Sequence, residues 1–291
     1  MLRCKVMTNL PLACLVAAAC MLRCDALRKG FGAAPPKSRR PQLTGVAKKF
    51  YTEHEGDLDS VQADLFGHYL QNMRARDPDL YADLVKAQRR DEAATARGKE
   101  ALVALTWDVI ADCLPVMGGE DAAMTAKLAA CAAAVPPGAV LDVGCGDGAM
   151  VPHLARAGAL ESYVGIDVSA RMVAAARRRH PKRTFEAVGF LDYVGGPFDS
   201  VLFAGSLQFF AGAAEALGAA AALLKPGGAV VVFHARGAAF VRDEARGNPA
   251  TARPLPTLDE LAAAAAPLGL DVASAGDDLE AAYLVVLKRR G

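Results

Sequence analysis

The chain is poor in the features that would place it quickly. Its 291 residues include 7 cysteines but no CxxC pair and no histidine cluster near any of them, so neither a zinc site nor a disulfide framework is indicated. No apolar run is long enough to cross a membrane: Leu10 to Leu22 is broken by Pro11 and falls short of the roughly twenty residues a spanning helix needs. Neither charge is in surplus, the net being +1, and there is no internal repeat. What is present is 53% hydrophobic and 22% charged residues, enough for a sizeable core and unlike a disordered chain.

The charge is unevenly placed. Residues 1–43 hold Arg3, Lys5, Arg23, Arg28, Lys29, Lys37, Arg39 and Arg40 against Asp25 alone, so this stretch is +7 and the remainder −6. An acidic body lacks the footprint needed to neutralise phosphates over a broad surface, which argues against a nucleic-acid partner. The basic start, the short apolar run and the small residues Cys24 and Ala26 read as a signal-peptide core cleaved after Ala26. Leu27 to Pro41 is rich in Arg, Lys, Ala and Pro, has no acid, and is similar to a transit peptide. Together they resemble the two-part leader of proteins imported into complex plastids. We therefore expect 1–43 to be a targeting leader and linker with no stable membrane insertion. The expected location is an organelle, a plastid ahead of the secretory pathway or a mitochondrion. Cys4, Cys14, Cys20 and Cys24 leave with the leader; Cys113, Cys131 and Cys145 are scattered, as suits a reducing compartment.

Residues 44–118 read as a helical extension. Leu58, Val61, Leu65, Tyr69 and Met73 form a helical stripe, Asp77-Pro78 is a helix start, and Leu102, Leu105, Trp107, Val109, Ile110 and Leu114 mark another helix before Gly118-Gly119. A helix over Ala122 to Val135 then meets the Pro136-Pro137-Gly138 turn. Beyond it the period changes. Ala139–Val143, Tyr163–Val168, Thr184–Phe190, Phe198–Ala204 and Ala229–Ala235 are short apolar strands separated by Ala-rich helices or turns, the alternation of a parallel, doubly wound sheet. In the tail, a helix over Thr257–Ala266 leads to strands Asp271–Ala275 and Ala281–Lys288, joined so closely that they form a hairpin and put one antiparallel strand into the sheet.

The most informative stretch is Val140-Leu141-Asp142-Val143-Gly144-Cys145-Gly146-Asp147-Gly148. Three alternate glycines after a strand let the backbone turn tightly and approach a ligand, and the following helix offers free N–H groups. By itself this pattern suits several nucleotide cofactors. Asp142 is an acid suited to a cationic ligand, and Asp167, at the end of the second strand, can accept both hydroxyls of a ribose.

With Tyr163-Val164-Gly165-Ile166-Asp167-Val168-Ser169, Pro197-Phe198-Asp199-Ser200-Val201 and Leu223-Leu224-Lys225-Pro226-Gly227-Gly228, the stretch resembles the class I S-adenosylmethionine-dependent methyltransferases of small-molecule type over residues 120–291. The resemblance implies an α/β, Rossmann-like, doubly wound seven-stranded sheet with an antiparallel last strand in residues 119–291, following the N-terminal helical cap. It places Gly144, Gly146 and Gly148 along the methionine part of S-adenosyl-L-methionine, Asp142 near its amino group and Asp167 on its ribose, with Val168, Phe190, Leu191 and Ser206 also around the cofactor. The family usually carries an acid just after the third strand for the adenine amino group. Here that position is Gly189; either Asp192 substitutes from three residues on, or it is an exposed loop acid and adenine rests on contacts near Phe190.

Gly205-Ser206-Leu207-Gln208-Phe209-Phe210 follows the fourth strand, where the family places residues around the transferring methyl. The Asn/Asp-Pro-Pro-Tyr motif of nucleic-acid amino-methyltransferases, the Pro-Cys nucleophile of cytosine-C5 enzymes and a paired-acid metal site are missing, which favours a small-molecule acceptor. Gln208 is either a substrate contact or a helix-start residue. His234 ends the fifth strand and is either a general base or a structural histidine. Arg236 to Pro256 is a long connection around Phe240-Val241, a substrate lid or a surface insertion. Arg177-Arg178-Arg179-His180 with Lys182 and Arg183 reads as a solvated helix end, and His153 has no assigned role.

The expected activity is transfer of the sulfonium methyl to an oxygen, nitrogen or carbon of a small molecule. A non-catalytic S-adenosylmethionine-binding or scaffold protein is the alternative. A nicotinamide dehydrogenase shares the glycine loop and Asp167 but leaves Asp142, the Lys-Pro-Gly-Gly turn and the hairpin unexplained, and no Tyr-x-x-x-Lys pair is present.

Overall fold

Runs such as Val230-Val231-Val232 are apolar at consecutive positions because both faces of the strand are covered, the condition of a central parallel strand. The computed structural model describes residues 100, 103–104, 107–108, 111, 121–245, 251 and 253–291. Within them β1 (Gly138–Val143), β2 (Leu160–Asp167), β3 (Thr184–Ala187), β4 (Phe198–Ala204), β5 (Leu224–His234), β6 (Leu270–Ala275) and β7 (Tyr283–Arg289) form one sheet in the order β3-β2-β1-β4-β5-β7-β6. The pairings from β3 through β5 are parallel, and β7 runs antiparallel to both β5 and β6. This is the expected seven-stranded architecture, with the tail hairpin inserted as read from the sequence.

Helices cover both faces. On one side α1 (Ala122–Ala134), α2 (Val151–Arg156) and α3 (Ala170–Arg179) pack Cys131, Leu154, Val173 and Ala176 against Val140, Tyr163 and Val231. On the other, α4 (Ala213–Leu223), α5 (Gly237–Ala245) and α6 (Leu258–Ala265) set Leu217, Val241 and Leu261 against Leu141, Val230 and Val232. Alternate residues of β1 and β5 thus feed two separate cores.

Local chemistry sets the ends of these elements. Asp121 caps α1 by accepting from Met124 N at 2.7 Å, and Thr257 and Glu260 form a reciprocal capping box at α6. Asp199, in β4, accepts from Ala139 N and from Lys225 Nζ, each at 2.7 Å, so one carboxylate fastens the starts of β1 and β5 to β4. Lys225 and the Ala139 amide hold that carboxyl below the usual carboxylate range.

Several boundaries differ from expectation, three of them near the ends of β3 and β5. β3 ends at Ala187, and Phe190–Asp192 form a 3₁₀ turn, because Phe190 packs edge-on against Phe203 and Phe210. β5 starts at Leu224, since the Lys225 tether to Asp199 brings the Lys-Pro-Gly-Gly turn into the strand. The connection after Arg236 opens with α5, whose Val241 is fully buried, so Phe240-Val241 belongs to a packed helix rather than to a lid.

The leader, the Leu58–Met73 stripe, Asp77-Pro78 and Gly118-Gly119 lie outside the described residues, as do Leu102, Leu105, Val109, Ile110 and Leu114. The described positions of that last segment, Glu100, Val103, Ala104, Trp107, Asp108 and Ala111, are helical. Among the described residues no helix is long and apolar enough to cross a membrane.

Candidate functional site

The chain leaves β1 toward β2 and β3 on one side and returns to β4 on the other, so the strand order reverses between β1 and β4. At such a reversal the loops beyond the strand ends diverge and leave a crevice. Here it is a cleft of about 270 Å³ bounded by the loop after β1, the tips of β2 and β4, and the turn after β3.

Its floor depends on two contacts. Ser206 Oγ donates to Val143 O at 2.5 Å, and a Cβ on Gly144 would stand 2.6 Å from Ser206 Cβ, so the loops after β1 and β4 touch only because residue 144 has no side chain. Gly146 has a φ of +54° and nothing within 4 Å of where its Cβ would lie; it offers bare backbone to open space. Its N–H donates to Asp167 Oδ2 at 2.9 Å, while Ser169 N donates to Oδ1 at 2.8 Å.

Asp167 is therefore buried, oriented by two amides, and still borders the cleft. Burial raises its pKa, and the amides of Ser169 and Gly146 oppose that rise. Each carboxylate oxygen accepts one bond and keeps a free lone pair, the arrangement a vicinal diol needs. A cradle of backbone with such an acid at its rim fits the chain and ribose of S-adenosylmethionine.

Of the residues expected around the cofactor, Gly144, Gly146, Asp167, Val168, Phe190, Leu191 and Ser206 border the cleft. Asp142 does not. It lies on the other face of β1, 1% exposed, where it accepts from Tyr163 Oη at 2.8 Å. Burial lifts its carboxyl to about 7 against the lowering effect of that bond. Strand alternation explains this placement: Asp142 has the parity of Val140, whereas Val143 meets the cleft.

Gly148 is also outside the lining, since its missing Cβ makes room for His180 and Phe185. Asp192 is exposed and outside it too. Gln208 is buried with Nε2 donating to Gly205 O at 2.8 Å, and its main-chain carbonyl accepts from Arg253 N, so it braces the loop after β4. His234 is stacked on Phe240, accepts from Arg236 N through Nδ1, and is driven down to about 4 by burial with help from Arg236 and Lys127. Neither side chain reaches the cleft lining. In the basic cluster, Arg179 pairs with Asp147 at 2.7 Å and Arg177 donates to Phe185 O, the behaviour of a helix end tied to its own domain.

The structure adds residues that the sequence did not single out for the site. Glu100, Val103 and Trp107, from the helical segment before α1, border the cleft, with Trp107 edge-on to Phe209 at 6.0 Å between centroids. Asp108 of the same segment accepts from Ser169 Oγ at 2.6 Å and from Arg171 N at 3.2 Å, at the start of α3. Glu215 of α4 borders the cleft as well. Helical periodicity placed Trp107 on a helix of the segment expected to cap the domain, but nothing local indicated which of its residues would meet the cleft.

A family model described as a methyltransferase domain matches residues 141–230, which run from β1 through the glycine loop, Asp167 and β4 into β5. Among solved structures, the chain is similar to magnesium protoporphyrin IX methyltransferase from Synechocystis PCC 6803 with bound SAH. That likeness has 16% identity, 66% of this chain and 99% of that one covered, and a TM-score of 0.52. An S-adenosylmethionine-dependent methyltransferase from Mesorhizobium loti matches with 20% identity, 58% and 98% coverage, and a TM-score of 0.47. No curated protein matches the sequence. Residues 141–230 therefore match a methyltransferase domain, and the sheet order with its antiparallel β7 is the fold shared with the Synechocystis structure.

Proposed function

We propose that the cleft binds S-adenosylmethionine across the strand tips and transfers its methyl group to a small organic acceptor. The observation that carries this reading is the Gly146–Asp167 unit, which offers backbone without a side chain beside an acid already oriented by two amides. Gly144 to Gly146 would hold the methionine chain, Asp167 the ribose, and Val188, Phe190 and Leu191 the base. When bound, the cofactor supplies an electrophilic methyl on a sulfonium.

The protein's part is placement and exclusion of water. Trp107, Phe209 and Phe210 form an aromatic wall on the β4 side of the cleft, against which an acceptor would be held. Orientation of this kind contributes up to about 7–11 kcal/mol to a bimolecular displacement, so few catalytic side chains are required. Gln208 acts by bracing the loop after β4, and His234 by packing against Phe240 of α5.

Calorimetric titration with S-adenosylhomocysteine and with NAD tests the cofactor; binding of NAD alone overturns it. A screen of small metabolites in the presence of S-adenosylmethionine, scored by S-adenosylhomocysteine formed, then identifies the acceptor. We further propose that residues 1–43 direct import into an organelle, most simply a plastid. N-terminal sequencing of native protein should find processing between Ala26 and Thr44, and an intact Met1 defeats the import reading.

A further inference from the structure

We propose that Glu100, a residue of the helical segment before α1, accepts the exocyclic amine of the cofactor's adenine and makes the cleft selective for 6-amino over 6-oxo purines. This rests on the cofactor reading above and adds to it a residue from outside the matched domain.

The strand order fixes where the base goes. The tips of β1, β2 and β3 stand side by side, with the glycine loop on the first, Asp167 on the second and Val188 following the third. Val188 N donates to Asp167 O at 3.0 Å, so the end of the cleft beyond the ribose acid is the turn after β3. Val188, Phe190 and Leu191 make that end apolar, a surface that accepts the face of a purine without reading its edge.

The edge is read by whatever polar group stands beside it. Gly189 is buried in extended backbone, φ −66°, a conformation open to any residue, so its lack of a side chain answers to space. A Cβ there would lie 2.5 Å from Glu100 Oε1, 2.9 Å from Cδ and 3.0 Å from Oε2. The Glu100 carboxylate thus occupies the room that a side chain at position 189 would take, and it borders the cleft. Partial burial and the nearby Asp192 hold its pKa above the usual range.

The other acids of the cleft are differently placed. Asp147 is paired with Arg179, Asp167 is held between the amides of Gly146 and Ser169, and Glu215 belongs to α4. An ionised carboxylate only accepts hydrogen bonds, and the amine is the sole donor on the hydrogen-bonding edge of adenine. A 6-oxo purine presents an oxygen at the same place and meets repulsion. A site built around one hydrogen bond rejects the analogue lacking it more strongly than shape alone allows.

The test is calorimetry on the full chain with S-adenosylhomocysteine and its 6-oxo analogue, S-inosylhomocysteine. The wild type should prefer the adenine form at least about tenfold, and E100Q, whose amide donates as well as accepts, should bring that ratio near one. E100A should lose the preference as well, and adding G189D to E100A should restore it, since the extended backbone tolerates Asp and the space has been vacated. E215Q should keep the wild-type ratio. If E100Q binds both ligands with the wild-type ratio, or if E215Q is the variant that loses it, the assignment to Glu100 is wrong while the cofactor reading stands. A folded wild type that binds neither form defeats the cofactor reading, and Glu100 with it.

Discussion

The N–H of Gly146 donates to the Asp167 carboxylate at 2.9 Å, joining the loop after β1 to the tip of β2. Two segments that the sequence separates by an entire helix thus act as one piece. A ligand held by either is held by both.

Asp167→Ala should therefore do more than delete a ribose contact. Charge-assisted bonds of this type contribute about 1.5–3 kcal/mol each, so affinity for S-adenosylhomocysteine should fall at least tenfold. The variant should also lose its preference for the ribose form over a 2′-deoxyribose analogue. Asp192→Ala should keep that preference, because Asp192 is exposed and outside the cleft. Calorimetry with both ligands decides; the reverse ranking would contradict the placement of β2 and β3.

Substitutions at two glycines should separate binding from folding. Gly146→Val meets no protein atom but strains a positive φ, at about 1–3 kcal/mol, and projects into ligand space. It should fold, by circular dichroism, and bind no cofactor. Gly144→Ala places a carbon within 2.6 Å of Ser206 Cβ and should lower the melting temperature. Full affinity in folded Gly146→Val would remove the loop from the site.

The buried Asp142 makes a pH-dependent prediction. Its carboxyl is lifted from the ordinary 3.8 to about 7, so folding takes up a proton across that window; stability falls as pH rises through it and levels off above. Tyr163 Oη stabilises the charged form, so Tyr163→Phe raises the pKa further. The variant should lose about 1.5–3 kcal/mol near pH 8 and less near pH 5, where Asp142 is mostly protonated. Chemical denaturation at both pH values checks this; a pH-independent loss would show that packing of the Tyr163 ring dominates.

Trp107 is the chain's one tryptophan and borders the cleft against Phe209. Saturation with S-adenosylhomocysteine should change its emission, and Phe209→Leu should alter the unliganded spectrum. An emission unchanged at calorimetric saturation would place Trp107 away from the bound ligand.

What the sequence determined is what depends on neighbouring residues. Continuous apolar runs separated by helical periods specify parallel strands covered on both faces, and the short Gly276-Asp277-Asp278 turn forces the antiparallel β7. The glycines after Val143 and the acid at 167 carry their chemistry in residue type alone. Only the tertiary structure decided which face of β1 meets the cleft. Both faces are apolar, so alternation could not show that Asp142 turns toward Tyr163 and Val143 toward the site. It also decided the place of Glu100, 89 positions before Gly189, since nothing in either segment records that one side chain fills the space the other lacks. Local sequence fixes periodicity and turn chemistry; which separated surfaces share a volume is settled by packing, where each side chain is limited by atoms far along the chain.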